Sequence, residues 1–212
     1  MRPTGKRSSH KSTQSTRGSQ ASATKPARGA GHIRIIGGRW RGRKLPVPDL
    51  PGLRPTTDRV KETVFNWLQF EVHDKRVLDA FAGTGSLGFE ALSRGARSVT
   101  FVEKARSAAA QLTANVHTLN AQANTHVCHQ DALEYLAHTS ETFDLVLLDP
   151  PFEHGFLSTA IEHLKLRNLV VPDGWIYLES ESSLTVVAPE NWRLHREKKM
   201  GQVICRLYQV MH

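Results

Sequence analysis

The stretch FDLVLLDPPF, residues 143–152, joins an apolar run to a carboxylate, two prolines and an aromatic ring. Its first half is typical of a strand buried on both faces of a parallel sheet. Asp149 would stand at the carboxyl end of that strand, where open α/β sheets form their ligand crevice. There Asp149 and the Pro150 carbonyl could accept hydrogen bonds from the two N–H groups of an exocyclic amine on a base. The base itself could stack on Phe152. Strand termination by the prolines is the alternative explanation.

A glycine-rich loop lies earlier in the chain, in DAFAGTGSLG. Gly83, Gly85 and Gly88 satisfy the pattern GxGxxG between a predicted strand and a predicted helix, the context of a nucleotide-binding loop. Asp79 precedes the loop, and its carboxylate would repel a pyrophosphate and attract a cation. The pattern therefore favours a nucleoside with a positive appendage. S-adenosylmethionine meets this requirement because it has an ammonium and a sulfonium and no phosphate.

Two further acids follow the next predicted strands. Glu103 stands eighteen residues after Gly85, where a Rossmann-like fold places an acid that binds ribose hydroxyls. A surface charge at the start of a helix is the alternative for Glu103. Asp131 could hydrogen-bond the adenine amino group, cap the next helix, or do both.

Other chemistry has less support. His126, Cys128 and His129 resemble metal ligands in composition, but alternation along a strand directs His129 away from the other two. Cys128 and Cys205 match no CxxC spacing, so we expect no metal site and no disulfide framework. The absence of the patterns GxSxG and GxxxxGK[ST] argues against a serine hydrolase and a P-loop enzyme.

The elements that must position these residues alternate along the chain from Lys75. Strands are predicted at RVLDAF, SVTFVE, THVCHQ, FDLVLL and WIYLES, with helices at 87–94, 105–119, 131–138 and 156–166. This alternation predicts a mostly parallel sheet covered by helices on both faces. The last segment has two extended runs around Met200-Gly201 and no room for a crossover helix. An antiparallel C-terminal strand would therefore complete a seven-stranded sheet.

The amino-terminal part divides into a tail and a predicted hairpin. Residues 1–31 contain no Val, Ile, Leu or aromatic residue, so we expect a disordered basic tail, although the composition also resembles an organelle transit peptide. Gly37-Gly38 between two short extended runs predicts a β-hairpin within residues 32–53. Its second run alternates cations around an aromatic ring, which suits RNA phosphates and base stacking, or else forms an ordinary solvated face. The candidate RNA-binding residues are Arg39, Trp40, Arg41, Arg43 and Lys44.

A helix is predicted between this hairpin and the alternating segment. Thr57 or Asp58 would cap its amino terminus, and apolar residues follow at helical spacing. These residues are Val60, Val64, Trp67 and Leu68. The helix should pack against the domain that follows it.

Charge is divided unequally along the 212 residues. Residues 1–48 hold 12 Lys or Arg and no acid (+12), whereas residues 49–212 hold 16 Lys or Arg and 20 acids (−4). A cationic end suggests a polyanionic partner, with a solubilising tail as the alternative. The length suits one α/β domain with appendages, and no apolar run could span a bilayer. We expect a monomeric, cytoplasmic protein without membrane association.

Five sequence blocks together resemble one known family. In chain order they are IRIIGGRWRGRKL, LRPTTDRVKETVFNWL, VLDAFAGTGSLGFEALSRGA, FVEK and LLDPPF. In this order they are similar to the bacterial 16S rRNA (guanine-N2)-methyltransferase family, RsmD, from about residue 32 to the C-terminus. The resemblance implies a Rossmann-like class I fold and S-adenosylmethionine as methyl donor. It also implies transfer to the N2 amine of guanine 966 in 16S rRNA of the small ribosomal subunit.

Position within these blocks assigns roles to individual residues. The resemblance implies that the cofactor is bound by Thr56, Asp79, Phe81, Gly83, Gly85, Glu103, Lys104, Asp131 and Ala132. It implies that the target amine and base are bound by Asp149, Pro150 and Phe152. Residues 54–212 would form the methyltransferase domain, and residues 32–53 would contact 16S rRNA or the small subunit. Residues 1–31 lie outside the resemblance.

Three alternatives stay open. A DNA adenine-N6 or cytosine-N4 methyltransferase would use the same donor and motif, although such enzymes generally need an added recognition domain. A non-catalytic RNA-binding ribosome-assembly factor is disfavoured by the intact glycine loop, Glu103 and Asp149. A NAD-dependent oxidoreductase is disfavoured by Asp79.

Overall fold

The computed structural model describes residues 31–50, 56–152 and 155–212. Its strands are β1 (His32–Arg34), β2 (Lys44–Pro46), β3 (Arg76–Asp79), β4 (Ser98–Glu103), β5 (Thr125–His129), β6 (Phe143–Leu148), β7 (Val170–Glu181), β8 (Trp192–Met200) and β9 (Val203–Val210). Its α-helices are α1 (Asp58–Trp67), α2 (Ser86–Ser93), α3 (Arg106–Thr118), α4 (Ala132–His138) and α5 (Phe156–Leu166). The predicted tail, apart from Gly31, and the predicted domain boundary at 53/54 lie outside the described residues.

Seven strands form one sheet in the order β5-β4-β3-β6-β7-β9-β8. Neighbours from β5 through β7 are parallel, whereas β9 is antiparallel to both β7 and β8. The predicted mostly parallel sheet with an antiparallel C-terminal strand is therefore confirmed. Because the five parallel strands run in one direction, their carboxyl ends meet at one edge of the sheet.

Apolar residues pack on both faces of this sheet. One face carries α1, α2, α3 and the two short amino-terminal strands, with Phe65, Phe89 and Leu112 fully or almost fully buried. The other face carries α4 and α5, with Leu136 and Ala160 in its core. Strand β6 explains the predicted apolar run, since its last four residues are all buried between the two layers.

The amino-terminal strands form the predicted hairpin with a long connection. Strands β1 and β2 do pair antiparallel, with Ile33 opposite Leu45, but residues 35–43 connect them and include a 3-10 turn at Gly38–Trp40. The predicted hairpin is therefore confirmed, but its connection is long, and Gly38 serves to bring that connection close to the domain. Its φ is +70°, and a Cβ atom there would lie 1.9 Å from the Ser93 carbonyl oxygen. The glycine lets the connection approach the end of α2 closely.

Polar contacts hold this connection on the domain. The Ser93 hydroxyl donates to the Gly37 carbonyl at 2.6 Å and accepts from the Trp40 amide at 3.0 Å. The carboxylate of Glu90, fully buried on α2, accepts the Ile36 amide at 2.8 Å. The hairpin is therefore fixed against α2.

Helix α1 begins as predicted. Thr57 is its N-cap, and its hydroxyl accepts from the Val60 amide at 3.4 Å. The almost fully buried Lys61 donates to the Arg34 carbonyl and forms an ion pair with Asp58 at 3.0 Å. These contacts fix the amino terminus of α1 beside the hairpin and next to the carboxyl edge of the sheet.

Candidate active site

Five acids form a row along the carboxyl edge of the sheet, one for each parallel strand. In the spatial order of the strands they are Asp131, Glu103, Asp79, Asp149 and Glu179. The row follows from the register, because Asp79 ends β3, Glu103 ends β4, and the pairing of Leu148 with Leu178 brings Asp149 beside Glu179. We call this set the acid row. Its first four members are predicted site residues, and Glu179 was not predicted.

The glycine-rich loop joins β3 to α2 beside the acid row. Gly83 and Gly85 have φ values of +52° and +75°, which favour glycine over any residue with a Cβ atom. A Cβ on Gly88 would lie 2.3 Å from Phe101 Cε1 and 2.9 Å from the nearer Asp79 oxygen, so this glycine permits close packing of α2 on the sheet. The loop therefore has the conformation that the GxGxxG pattern predicts.

Asp131 and Glu103 lie at the ends of β5 and β4, at one edge of the sheet, and we call them the outer acids; Asp79, Asp149 and Glu179, at the ends of the central strands β3, β6 and β7, are the inner acids. Both outer acids accept hydrogen bonds from backbone amides. Glu103 accepts the Gly83 amide at 2.8 Å and the Ala105 amide at 2.6 Å, one on each carboxylate oxygen. These bonds fix the carboxylate against the loop while leaving lone pairs on both oxygens for further donors such as ribose hydroxyls.

Asp131 caps α4, as one of its predicted alternatives states. Its carboxylate accepts from the Leu133 amide at 2.9 Å and from Lys104 Nζ at 3.1 Å. Burial disfavours the charged form, but hydrogen bonds from Lys104 and from the Glu134 and Leu133 amides outweigh it and lower the pKa of Asp131. Lys104 is thus placed beside the site as a partner of Asp131, and the buried Ala132 begins α4.

The inner acids are less well satisfied. Asp79 is 2% exposed and accepts the Gly88 amide at 2.9 Å. Burial raises the pKa of Asp79 to about 7, against the opposing Gly88 hydrogen bond and with added repulsion from Asp149 and Glu103. A cation bound beside Asp79 would stabilise its charged form, so this position fits an ammonium or sulfonium.

The described residues leave a further polar group free near the loop. The hydroxyl of Ser86, the first residue of α2, is buried without a hydrogen-bond partner in the described part of the chain. A buried polar group of this kind costs free energy unless a ligand or water meets it. Phe81, on the other side of the loop, packs edge-on against Phe156 with ring centroids 6.3 Å apart. The loop thus offers both a polar and an aromatic contact to a nucleoside-type cofactor.

The segment Asp149–Phe152 leaves the sheet directly after β6. Asp149 is partly buried and accepts a hydrogen bond from the Thr56 hydroxyl at 3.3 Å, which places Thr56 beside the acid row. Burial raises the pKa of Asp149 to about 6, although the Thr56 hydrogen bond lowers it. Pro150 is buried, whereas Phe152 is 50% exposed. The exposed ring is available for stacking next to a carboxylate with unused acceptor capacity.

Two cavities meet at this segment. One, of about 320 Å³, is lined by Asp149, Phe152 and Glu179 together with Thr56 and a basic rim. The rim consists of Arg59, Lys198 and Lys199. The other, of about 400 Å³, lies between Phe152, Glu179, the start of α5 and residues 183–187. Both volumes are typical of sites that hold small organic ligands.

Glu179 joins the two cavities and was missed by sequence reasoning. It is 5% exposed, and Oε1 accepts the Tyr177 hydroxyl at 2.8 Å. Burial, reinforced by the charge of Asp149, raises the pKa of Glu179 to about 8. Within WIYLES a lone glutamate carries no motif. Its position at the carboxyl end of a predicted parallel strand was the one available signal.

The five candidate RNA-binding residues do not share one extended run, which corrects that prediction. Arg39 and Trp40 lie in the 3-10 turn, Arg41 and Arg43 follow it, and Lys44 begins β2. The Arg39 guanidinium covers the Trp40 ring at 4.0 Å, and Trp40 packs against the core. The other four residues are exposed, so the region keeps a basic surface without the predicted alternation.

Two absences apply to residues 31–50, 56–152 and 155–212. Within these ranges no helix has the length and apolar character needed to cross a membrane. The same ranges contain no group of three His, Cys, Asp or Glu side chains arranged to hold a metal ion.

Comparisons with known proteins agree with this geometry. The family model described as "Conserved hypothetical protein 95" (Cons_hypoth95) matches residues 33–209. A protein named "Ribosomal RNA small subunit methyltransferase D" from Escherichia coli (strain K12) is 51% identical over 183 residues, covering 85% of this chain and 91% of that protein. A protein of the same name from Haemophilus influenzae is 49% identical over 182 residues, covering 84% and 94%.

A solved structure supports the same relationship. "Putative methyltransferase yhhF from Escherichia coli" aligns with a TM-score of 0.80 and 49% identity over 85% of this chain and 99% of that chain. Fold and site together define a Rossmann-like methyltransferase. The chain belongs to the Conserved hypothetical protein 95 family, and its resemblance to RsmD is confirmed.

Proposed function

We propose that this protein transfers a methyl group from S-adenosylmethionine to small-subunit rRNA, at the N2 amine of guanine 966 in 16S rRNA. The observation that carries the proposal is the position of Asp149, Pro150 and Phe152 beside Asp79, in the middle of the acid row. The printed names of the Escherichia coli and Haemophilus influenzae relatives support small-subunit rRNA as the substrate. The choice of guanine 966 rests on the RsmD resemblance.

The cofactor is S-adenosylmethionine, held along the outer and central acids. When bound, it supplies an electrophilic methyl group, and the electron pair of the broken carbon–sulfur bond stays on sulfur. Asp79 offsets the positive charge of the amino-acid end, near which Thr56 also lies. Glu103 accepts hydrogen bonds from the ribose hydroxyls, and Asp131 accepts a hydrogen bond from the adenine amino group.

The target amine is oriented by the segment after β6. The lone pair of an amino group on a base is delocalised into the ring, so the free amine is a poor nucleophile. Asp149 and the Pro150 carbonyl accept hydrogen bonds from its two N–H groups. These hydrogen bonds favour the pyramidal form of the amine and stabilise the positive charge that develops on nitrogen. Asp149 then takes the proton that N2 loses as the new N–C bond forms, while Phe152 stacks on the base.

Methyl transfer to defined substrates tests this function. Protein incubated with methyl-labelled S-adenosylmethionine and 16S rRNA, assembled small subunits or duplex DNA should label RNA. Digestion and mass spectrometry should find the label as N2-methylguanosine at position 966. Label confined to DNA would support the alternative DNA methyltransferase. Tight RNA binding with no transfer to any substrate would support a non-catalytic assembly factor.

The basic surface of the hairpin is proposed to hold RNA phosphates. Replacement of Arg39, Arg41 and Arg43 by alanine should weaken RNA binding and flatten its dependence on salt, by about 0.7 in logarithmic slope for each lost single-strand contact. Filter binding at several salt concentrations measures this slope. The double variant K165A/R167A removes exposed cations at the far end of α5 and should leave the slope unchanged. An unchanged slope in the triple variant would exclude the hairpin as a phosphate contact.

A further inference from the structure

Glu179 lies where a second contact to the target base would be needed. The register of β6 and β7 pairs Leu148 with Leu178, so Glu179 follows on β7 at the same level as Asp149 on β6. Neighbouring strands are about 4.8 Å apart, so Asp149 and Glu179 lie side by side. Of the two cavities, the smaller is lined by both carboxylates, and the larger by Glu179 together with Pro150.

The surroundings of Glu179 orient it without satisfying it. The Tyr177 hydroxyl fixes Oε1 at 2.8 Å and is the one hydrogen-bond donor that the described residues provide. With 5% of its surface exposed, the side chain has little access to bulk water. A carboxyl group in such a place has acceptor capacity left over, since each oxygen has two lone pairs. A ligand that brings N–H donors into the cavity would use that capacity.

Guanine presents the matching pattern of donors. Its N2 amine is adjacent to the N1–H bond, so two neighbouring acceptors are required along this edge of the base. Adenine has an acceptor at N1 next to its amine, and cytosine has an acceptor at N3. An acceptor beside the Asp149 site therefore favours guanine over both other amine-bearing bases.

We propose that Glu179 determines specificity for guanine by accepting a hydrogen bond from N1–H, while Asp149 and the Pro150 carbonyl accept hydrogen bonds from the N2 amine. This inference rests on the proposed function, because it assigns a second contact within the same target site. Tyr177 then acts as a positioning residue for the Glu179 carboxyl group. The exposed cations of the rim, Lys198 and Lys199, are placed to meet phosphates of the strand that carries the base.

An RNA with 2-aminopurine in place of the target guanine tests the assignment. This base keeps the amine at position 2 but has an acceptor at N1, so it removes the donor that Glu179 would bind. Above pH 8, where the Glu179 carboxyl group is ionised and can only accept hydrogen bonds, the wild-type enzyme should prefer guanine by about 10- to 100-fold in kcat/KM, the usual discrimination from one lost base contact. Equal rates on both RNAs would overturn the assignment and leave the proposed function standing.

The variant Glu179→Gln supplies the complementary measurement. Its amide group can donate to N1 of 2-aminopurine, so the preference for guanine should fall to near unity or reverse. Glu197→Gln, a charge-matched change on β8 outside both cavities, should keep the wild-type preference. A Glu179→Gln enzyme that retains full preference would also overturn the assignment. If the wild-type enzyme methylates a base other than guanine, the proposed function fails together with it.

Discussion

The outer and inner acids of the acid row occupy equivalent places in the sheet but have different surroundings. Glu103 and Asp131 each accept at least two hydrogen bonds from backbone amides or Lys104, and the pKa of Asp131 is lowered. Asp149 and Glu179 each accept one hydroxyl, and burial raises their pKa values to about 6 and about 8. The outer acids are fixed by hydrogen bonds from the chain before any ligand binds.

This difference separates two kinds of binding. Acids that the chain itself orients suit the repeated binding of one invariant cofactor, because little reorganisation is required. Acids with unused acceptor capacity are stabilised when a substrate brings donors, so they suit an amine that must be oriented for reaction. Asp79 lies between the two kinds, with a backbone hydrogen bond of its own but a pKa raised by burial to about 7.

The largest expected effect is the loss of transfer in Asp149→Ala. Removing the acceptor for the target amine should lower kcat by about 10² to 10³, the usual cost of one preorganised electrostatic contact. The affinity for S-adenosylmethionine should change little, because Asp149 acts on the substrate side. Single-turnover transfer and calorimetric cofactor binding measure the two quantities. Asp149→Asn, which keeps one acceptor oxygen, should retain intermediate activity. A large loss of cofactor affinity in Asp149→Ala would place Asp149 on the cofactor side.

Glu103→Ala should have the opposite effect, weakening cofactor binding while leaving kcat nearly unchanged. Loss of charge-assisted hydrogen bonds to the ribose should weaken cofactor binding by about 10- to 100-fold. At saturating cofactor the kcat should stay within a few-fold of wild type, because the target acids are unchanged. Steady-state kinetics at several cofactor concentrations separate KM from kcat. Glu134→Ala, at an exposed position on α4, is the matched control and should change neither parameter. If Glu103→Ala lowered kcat and left cofactor binding unchanged, the division into cofactor-binding outer acids and substrate-binding inner acids would be wrong.

The smallest effect is proton release when the cofactor binds. Asp79, with a pKa of about 7, is largely protonated at pH 6.5, and a bound cation should lower that pKa and release less than one proton. Cofactor affinity should therefore rise with pH through about 6 to 8. Calorimetry in two buffers of different ionisation enthalpy measures the released proton. Asp79→Asn should abolish the release, and a wild-type protein that releases none would mean that Asp79 does not face the cation.

The raised pKa values of Asp149 and Glu179 determine how the stability of the fold changes with pH. When the pKa of a carboxyl group is higher in the folded protein than in the unfolded chain, the free energy of unfolding falls as pH rises between the two pKa values. For Asp149 and Glu179 this window runs from about 4 to about 8. The ligand-free protein should therefore lose stability across this range.

Local sequence was sufficient for those parts of the site in which a short segment determines its own geometry. The apolar run of β6 predicted its burial, GxGxxG predicted the strand-to-helix loop in which two glycines have positive φ, and Thr57 was one of two predicted caps. The hairpin itself was predicted, but its long connection was not, because Gly38 meets a steric requirement set by Ser93 on α2, more than fifty residues away in the chain. No local pattern contains that information.

The order of residues alone determined the alternating strands and helices, the acids that follow three of the strands and the Asp-Pro-Pro-Phe segment. These features follow from periodicity and from steric limits on neighbouring residues, which act over a few positions. Tertiary structure alone decided that the acids form one row, since lateral strand order depends on how crossover helices pack. It also decided that Glu179 lies beside Asp149, because the register between β6 and β7 is fixed by side chains that pack on both faces of the sheet.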